Sequence, residues 1–112
     1  MQSPIATKLI DGLSADTPGF IGTVVMVELV WVLQACYHSK RGEIAQILEK
    51  LLRSKELIVE ETELAWKALN HFSSTRADFA DCLIGLAAQR QGCDETVTFD
   101  KGAVPAGMRL IG

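Results

Sequence analysis

A strongly apolar stretch, residues 23–37 (TVVMVELVWVLQACY), is the part of this chain that most needs shielding from water. Its valines favour a strand, but it is too long for a typical strand and lacks alternating apolar and polar positions. We therefore predict a buried helix with Thr23 near its N-cap. The most apolar part, residues 20–33, is too short to span a membrane and contains Glu28.

Helix-like and strand-like segments alternate along the rest of the chain. Apolar residues recur at helical spacing in the predicted helices 4–14, 40–54, 62–72 and 77–91, the last stopping at Gly92. Short apolar strands are predicted at 20–22, 57–59, 96–99 and 108–111, with a loop at 102–107 before the last one. Such alternation indicates an α/β domain with a largely parallel sheet flanked by helices. A chain of 112 residues is enough for one domain, residues 1–112.

The charge balance constrains the partners of this chain. It has 14 acidic and 11 basic residues, a formal net charge of −3. A protein that holds nucleic acid mainly by a basic surface would lean the other way, which disfavours a small helical transcription factor. Either nucleic acid is not the partner, or the excess acid is concentrated where a bound cation offsets it.

The cysteines and the N-terminal residues indicate the compartment. Cys36, Cys82 and Cys93 form no CxxC pair, so we interpret them as buried thiols of a reducing compartment. His38 and His71 lack partners at zinc-ligand spacing. The first residues, MQSPIATKLIDG, do not resemble a signal peptide. We predict a cytoplasmic protein.

Glu28 is the first of three acids in locally unfavourable positions. It lies inside the apolar stretch, where burying an unpaired carboxylate would cost several kcal/mol. It therefore needs a cation, water or another partner. The alternative is a structural acid paired with an arginine or hydrogen-bonded to the backbone.

Asp81 and Asp100 are the other two. Asp81 interrupts an Ala- and Leu-rich helix (ADFADCLIGLAA), in which Ala77, Ala80 and Gly85 would let another element or a ligand approach closely. Its alternative is a solvent-facing position. Asp100 follows a predicted strand, and ligands of open parallel sheets gather at the carboxyl ends of strands. Its alternative is ordinary turn chemistry in Asp-Lys-Gly.

Two further acidic motifs have structural interpretations. Thr75-x-x-Asp78 matches a helix capping box, which is the first role we assign to Asp78. The pair Asp94-Glu95 is interpreted as a solvated turn.

Carboxylates from different elements, with no neighbouring His or Cys, suit a hard cation bound through oxygen. Mg²⁺ or Mn²⁺ fits such a site better than zinc. These ions activate water and stabilise charge on a transferring phosphoryl group. A site of this kind would also account for the acidic balance. Spacing alone does not establish that the carboxylates converge.

Three segments resemble, in order and spacing, the acidic blocks of PIN-domain proteins, most closely the toxins of VapBC-type toxin–antitoxin pairs. They are VVMVELVWVLQ around Glu28, ADFADCLIGLAAQRQGCD around Asp81 and TVTFDKGA around Asp100. The resemblance implies a three-layer fold and a Mg²⁺-dependent endoribonuclease blocked by an antitoxin protein. It also implies that these three acids bind the metal and are catalytic, that Thr98 supports them and that Asp78 assists.

The chain also departs from that family pattern. PIN-domain proteins open with a short apolar strand ending in Asp-Thr-Asn, whose Asp is a metal ligand, whereas this chain goes from Met-Gln-Ser-Pro directly into its first predicted helix. Asp11 falls within that helix and cannot replace the ligand. We expect a truncated form, either active through its remaining acids or inactive. We also expect a homodimer or an exchange of segments that covers the gap.

A non-catalytic interaction module is the alternative function. Residues 23–37 and Trp66 would then supply a hydrophobic binding surface. The basic residues that could hold RNA are scattered, and most are interpreted as solvated surface charges. They are Lys40, Arg41, Arg76, Arg90 and Lys101.

Overall fold

The computed structural model describes residues 18–111. The chain divides into two compact units, Met1–Thr62 and Glu63–Gly112. The predictions for the first 17 residues, a helix at 4–14 with no strand before it, lie outside the described residues. Each unit is built around one pair of short parallel strands.

The first unit contains strand β1 (Gly19–Ile21), helix α1 (Thr23–Ala35), helix α2 (Arg41–Arg53) and strand β2 (Leu57–Val59). Strand β1 pairs with β2 in parallel, with Gly19 opposite Leu57 and Ile21 opposite Val59. Parallel strands need a long crossover connection, and α1 and α2 supply it. All four elements lie within two residues of their predicted ends.

Helix α2 forms because its apolar residues recur every three or four positions. Ile44, Ile47, Leu48 and Leu51 all lie on its buried face. At its first turn the backbone N–H of Lys40 donates to Glu43 Oε1 at 3.1 Å. This apolar face supplies much of the core of the first unit.

Helix α1 only partly confirms the prediction of a buried helix. One face is buried, through Met26, Leu29, Val30 and Leu33. The opposite face carries Val24, Glu28, Trp31 and Ala35, which are all exposed and spaced three or four residues apart. The composition could not reveal this division, because apolar residues occur on both faces.

The start of α1 agrees with the prediction, because Thr23 is its first residue and directly follows the N-cap, Gly22. Gly22 has no side chain that could accept a hydrogen bond from the first turn of the helix. Instead Glu60, directly after β2, accepts a hydrogen bond from the backbone N–H of Thr23 through Oε1 at 2.8 Å. A residue distant in sequence therefore caps this helix.

The second unit contains helix α3 (Thr62–Ser74, whose first residue closes the first unit) and helix α4 (Phe79–Arg90), followed by short elements. These are strand β3 (Val97–Thr98), a 3-10 helix (Lys101–Ala106) and strand β4 (Arg109–Leu110). The 3-10 helix replaces the predicted loop. Strands β3 and β4 are parallel, with Val97 opposite Arg109 and Thr98 opposite Leu110.

The second unit has an aromatic core and an ion pair on its surface. Phe72 and Phe79 are fully buried, and their rings meet edge to face with centroids 6.1 Å apart. Arg109 Nε and Nη2 donate to the two carboxylate oxygens of Glu95, each at 3.0 Å. This exposed bidentate pair ties β4 to the segment before β3. Asp94-Glu95 is exposed, as predicted, but Glu95 has a partner.

The α/β class with short parallel strands flanked by helices is confirmed. The cysteine prediction is only partly right: Cys82 is buried, whereas Cys36 and Cys93 are exposed, and none of the three forms a disulfide. Within residues 18–111, no helix has both the length and the apolar character needed to cross a bilayer.

Candidate functional site

Asp78 begins the helix that carries Asp81. It is the N-cap of α4, with extended backbone angles (φ −71°, ψ 146°), and its side chain makes no capping hydrogen bond. The predicted capping box is therefore wrong, because that motif needs Thr75 at the N-cap and the acid three residues inside the helix. The Asp78 carboxylate is exposed and is not engaged in capping α4.

Thr75 belongs to the turn that precedes α4. Its hydroxyl donates to the carbonyl oxygen of His71 at 2.8 Å and accepts from the backbone N–H of Ala77 at 3.1 Å. The threonine closes the end of α3 and leads the chain into the turn. The motif correctly indicated a boundary between two helices, but the N-cap is Asp78, three residues after the predicted Thr75.

Asp81 lies in the first turn of α4 and is partly buried. It is three residues after Asp78, so both side chains belong to the same side of the helix start. Burial raises the pKa of the Asp81 carboxyl, and the negative charges of Asp78 and Asp100 raise it further. Asp81 is therefore not a fully solvent-facing residue, as the alternative interpretation required, because part of it is buried.

Asp100 is the N-cap of the 3-10 helix that follows β3. Its Oδ1 accepts a hydrogen bond from the backbone N–H of Gly102 at 2.8 Å. Its own backbone N–H donates to Thr98 Oγ1 at 3.0 Å. Thr98 therefore contacts Asp100 directly. The turn chemistry weighed as an alternative is also present, and it holds the carboxylate at the end of the strand.

Gly102 was missed by sequence reasoning. A Cβ atom on this residue would lie 3.2 Å from Asp100 Oδ1, tighter than most real contacts of a Cβ. The glycine gives the carboxylate room beside the backbone of the 3-10 helix. The signal was available, because Asp-x-Gly after a strand is a common turn sequence.

The small residues of α4 have a partner, as the sequence suggested. The position of a Cβ on Gly85 is 3.6 Å from the carbonyl oxygen of Ala106, at the end of the 3-10 helix. A second element therefore packs against this part of α4. Ala77 is fully buried, and Ala80 is partly buried.

The structure groups three of the predicted site residues, Asp78, Asp81 and Asp100, in the second unit. Glu28 belongs to the first unit and is exposed, which corrects the expectation of a carboxylate buried in an apolar stretch. It lies on the outward face of α1, so no burial cost demands a partner for it. Its convergence with the other acids stays a prediction.

The donor atoms of this group suit a hard cation, since they are carboxylate oxygens with no thiolate or imidazole among them. Among residues 18–111, no three acidic, histidine or cysteine side chains form a ready metal-holding cluster. Magnesium usually keeps several waters and binds through one or two carboxylates. Two carboxylates of this group therefore fit such an ion chemically.

Glu60 is a further acid that the sequence reasoning missed. It directly follows β2, as Asp100 follows β3, so the rule about the carboxyl ends of strands would have found it. Here its carboxylate caps α1. The candidate RNA-binding residues are distributed over both units, with Lys40 and Arg41 in the first and Arg76, Arg90 and Lys101 in the second.

Comparison with known proteins supports the resemblance that the three acidic segments indicated. The family model described as the PIN domain matches residues 3–104. A VapC ribonuclease of Aquifex aeolicus (strain VF5) is 27% identical over 92 residues, which are 82% of this chain and 68% of that protein. No solved structure matches significantly.

Proposed function

Because this chain belongs to the PIN domain family, we propose that it is a metal-dependent endoribonuclease that hydrolyses phosphodiester bonds in RNA. We assign Mg²⁺ or Mn²⁺ as the ion. The similarity to a VapC ribonuclease supports a role as the toxin of a toxin–antitoxin pair, with an antitoxin protein as its partner. We place this activity in the cytoplasm.

The observation that carries the proposal is the charge environment of Asp81. Burial raises the pKa of the Asp81 carboxyl, and the negative charges of Asp78 and Asp100 raise it further. A cation bound at Asp81 would offset the repulsion from these two charges. A divalent ion held by carboxylate oxygens can activate water and stabilise charge on a phosphoryl group.

Asp81 and Asp100 are the residues that we assign to the ion, with Glu28 as a third ligand and Asp78 assisting. When bound, the ion would activate water and stabilise negative charge on the phosphate. Asp100 Oδ1 is engaged by Gly102, so Oδ2 is the oxygen that we assign to the ion. Thr98 supports the site by holding the backbone of Asp100 in place.

The test is cleavage of single-stranded RNA in Mg²⁺, with and without a chelator. We expect cleavage that requires the ion and that falls by about a hundredfold or more in Asp81→Asn, comparable to the loss of other strong electrostatic groups at active sites. Glu28→Gln tests the third ligand in the same way. Asp94→Asn is the matched control, since it removes an exposed acid of the same unit outside the group.

The outcomes separate the assignments. Equal cleavage by wild type, Asp81→Asn and Asp94→Asn would point to a contaminating ribonuclease and contradict the site. Loss in Asp81→Asn with full activity in Glu28→Gln would remove only Glu28 from the ligand set. No cleavage by wild type would contradict the nuclease proposal for this chain.

A non-catalytic interaction module is the second candidate, and the outward face of α1 favours it. Val24 and Trp31 on this face, and Phe20 just before it, are large apolar side chains exposed to solvent. An apolar surface of this kind marks a contact with another protein. The module predicts that partner binding is indifferent to a chelator and to Asp81→Asn but is weakened by Trp31→Gln.

A further inference from the structure

Phe99 is the most exposed of the large apolar side chains in the described part of the chain, at 81% of its full accessible area. The other phenylalanines of the second unit, Phe72 and Phe79, are fully buried in its core. Burying a phenylalanine side chain stabilises a fold, and Phe99 gains almost nothing from this effect. Its ring is thus not needed to hold the fold together.

Its position in the chain is tightly defined. Phe99 lies between Thr98 and Asp100, which are joined by the hydrogen bond from the Asp100 N–H to Thr98 Oγ1 at 3.0 Å. Asp100 is anchored a second time through Gly102. Consecutive Cα atoms are about 3.8 Å apart, so the Cα of Phe99 lies at this distance from the Cα of Asp100, a candidate metal ligand.

The neighbouring side chains are charged. Asp100 and Lys101 directly follow Phe99, and both are exposed. The centres of protein–protein interfaces are depleted of charged residues, so this setting disfavours a protein as the main partner of the ring. A nucleotide offers a flat base for the ring and phosphates for the ion and the ammonium group, so it matches all three residues.

Stacking would also supply binding energy for RNA that the overall charge of the protein does not provide. With a net charge of −3, the protein has little general electrostatic attraction for RNA. Aromatic stacking adds binding energy that does not depend on charge, and every base has a face that can stack. In a duplex the bases are already stacked on one another, so only an unpaired base can use the ring.

We propose that Phe99 is a stacking platform for an unpaired base next to the cleaved phosphate. This inference rests on the proposed ribonuclease function. Phe99 is a positioning residue: it orients the nucleotide, whereas the carboxylates hold the ion.

The test compares Phe99→Ala, Phe99→Trp and wild type on a single-stranded RNA that contains 2-aminopurine and on the same RNA as a duplex. We expect Phe99→Ala to weaken single-strand binding by about tenfold, in line with the loss of one base–aromatic stack, and to lose the quenching of the fluorescent base. Phe99→Trp should restore both. Phe20→Ala is the matched control, because Phe20 is an exposed phenylalanine of the first unit.

The possible results distinguish the stacking role of Phe99 from the proposed nuclease function. If wild type cleaves RNA and Phe99→Ala binds and quenches as wild type does, the stacking role is wrong while the nuclease function stands. If Phe99→Ala changes the molecular mass in solution rather than RNA binding, the ring contacts protein and the inference is also overturned. If wild type neither binds nor cleaves RNA, the proposed function fails, and the inference fails with it.

Discussion

Asp81 is subject to opposing electrostatic effects. The N-terminal end of a helix carries a partial positive charge, which favours a carboxylate in the first turn. Burial and the charges of Asp78 and Asp100 act in the other direction and raise the pKa of Asp81. The raised pKa means that the second effect dominates. The charged form of Asp81 is therefore less stable in the folded protein than in the unfolded chain.

Asp81→Asn should make the folded protein more stable at neutral pH, because it removes a carboxylate whose charged form is disfavoured in the fold. A higher melting temperature is expected, together with loss of the proposed cleavage. As the pH falls through the raised pKa of the folded state, wild-type Asp81 takes up a proton. The difference should then shrink, and it should vanish below the ordinary Asp pKa of 3.8.

Thermal unfolding followed by circular dichroism at a series of pH values measures this difference. Asp94→Asn removes the same charge from an exposed turn and should leave the melting temperature nearly unchanged. If Asp81→Asn is no more stable than Asp94→Asn at neutral pH, the charged form of Asp81 does not destabilise the folded protein.

Gly102→Ala should disturb Asp100 without unfolding the protein. The added Cβ would lie 3.2 Å from Oδ1, so the carboxylate has to move by a few tenths of an ångström. Small displacements of a metal-holding group reduce rates, and we expect cleavage to fall by about three- to tenfold. The measurement is the initial cleavage rate at saturating Mg²⁺, with the melting temperature recorded in parallel.

Gly42→Ala provides the matched control for this substitution. A Cβ at Gly42, in α2, would meet nothing within 4 Å. Alanine in a helix is more stable than glycine by about 0.5–1 kcal/mol, so this variant should keep its activity and gain stability. Equal activity of the two variants would contradict the steric role of Gly102.

Among the elements, α1 depends on a cap that comes from outside the helix. Glu60 Oε1 accepts the N–H of Thr23 at 2.8 Å, and Gly22 has no side chain to do so. Glu60→Ala should therefore lower the free energy of unfolding by about 1 kcal/mol, as the loss of other helix caps does. Urea denaturation measures the change.

Glu60→Gln separates the cap from the charge. Its amide oxygen can accept the same hydrogen bond, so this variant should lose much less stability than Glu60→Ala. Equal losses in the two variants would indicate that the negative charge near the helix terminus, rather than the hydrogen bond, provides the stabilisation.

For the whole molecule, we propose a homodimer formed by packing or exchange of segments through the first unit. Six of the ten exposed large apolar side chains among the described residues lie there, including Phe20, Val24 and Trp31. We expect the mass measured by sedimentation equilibrium to rise with concentration, and Trp31→Gln to shift this rise to higher concentrations. Val97→Gln is the control, since Val97 is an exposed apolar residue of the second unit. A monomer at every concentration would contradict the dimer.

The sequence alone was sufficient for most of the secondary structure and for the family. Helix α2 and strand β2 occur at the predicted positions, because a three- or four-residue apolar period and a short apolar run are local properties of the chain. The three acidic segments were also recognisable locally. Thr98 and Asp100 are only two residues apart in the sequence, so their contact could be anticipated.

Only the tertiary structure decided which residues are exposed and which distant groups meet. Glu28 is exposed because the packing of α1 uses only one of its two apolar faces. Glu60 caps α1 because the parallel pairing of β1 and β2 brings the end of β2 beside the start of that helix. The charge of Asp100 acts on Asp81 because the 3-10 helix that Asp100 begins packs against α4. The local sequence determines the period of an element, whereas burial and charge depend on residues that are far apart in the chain.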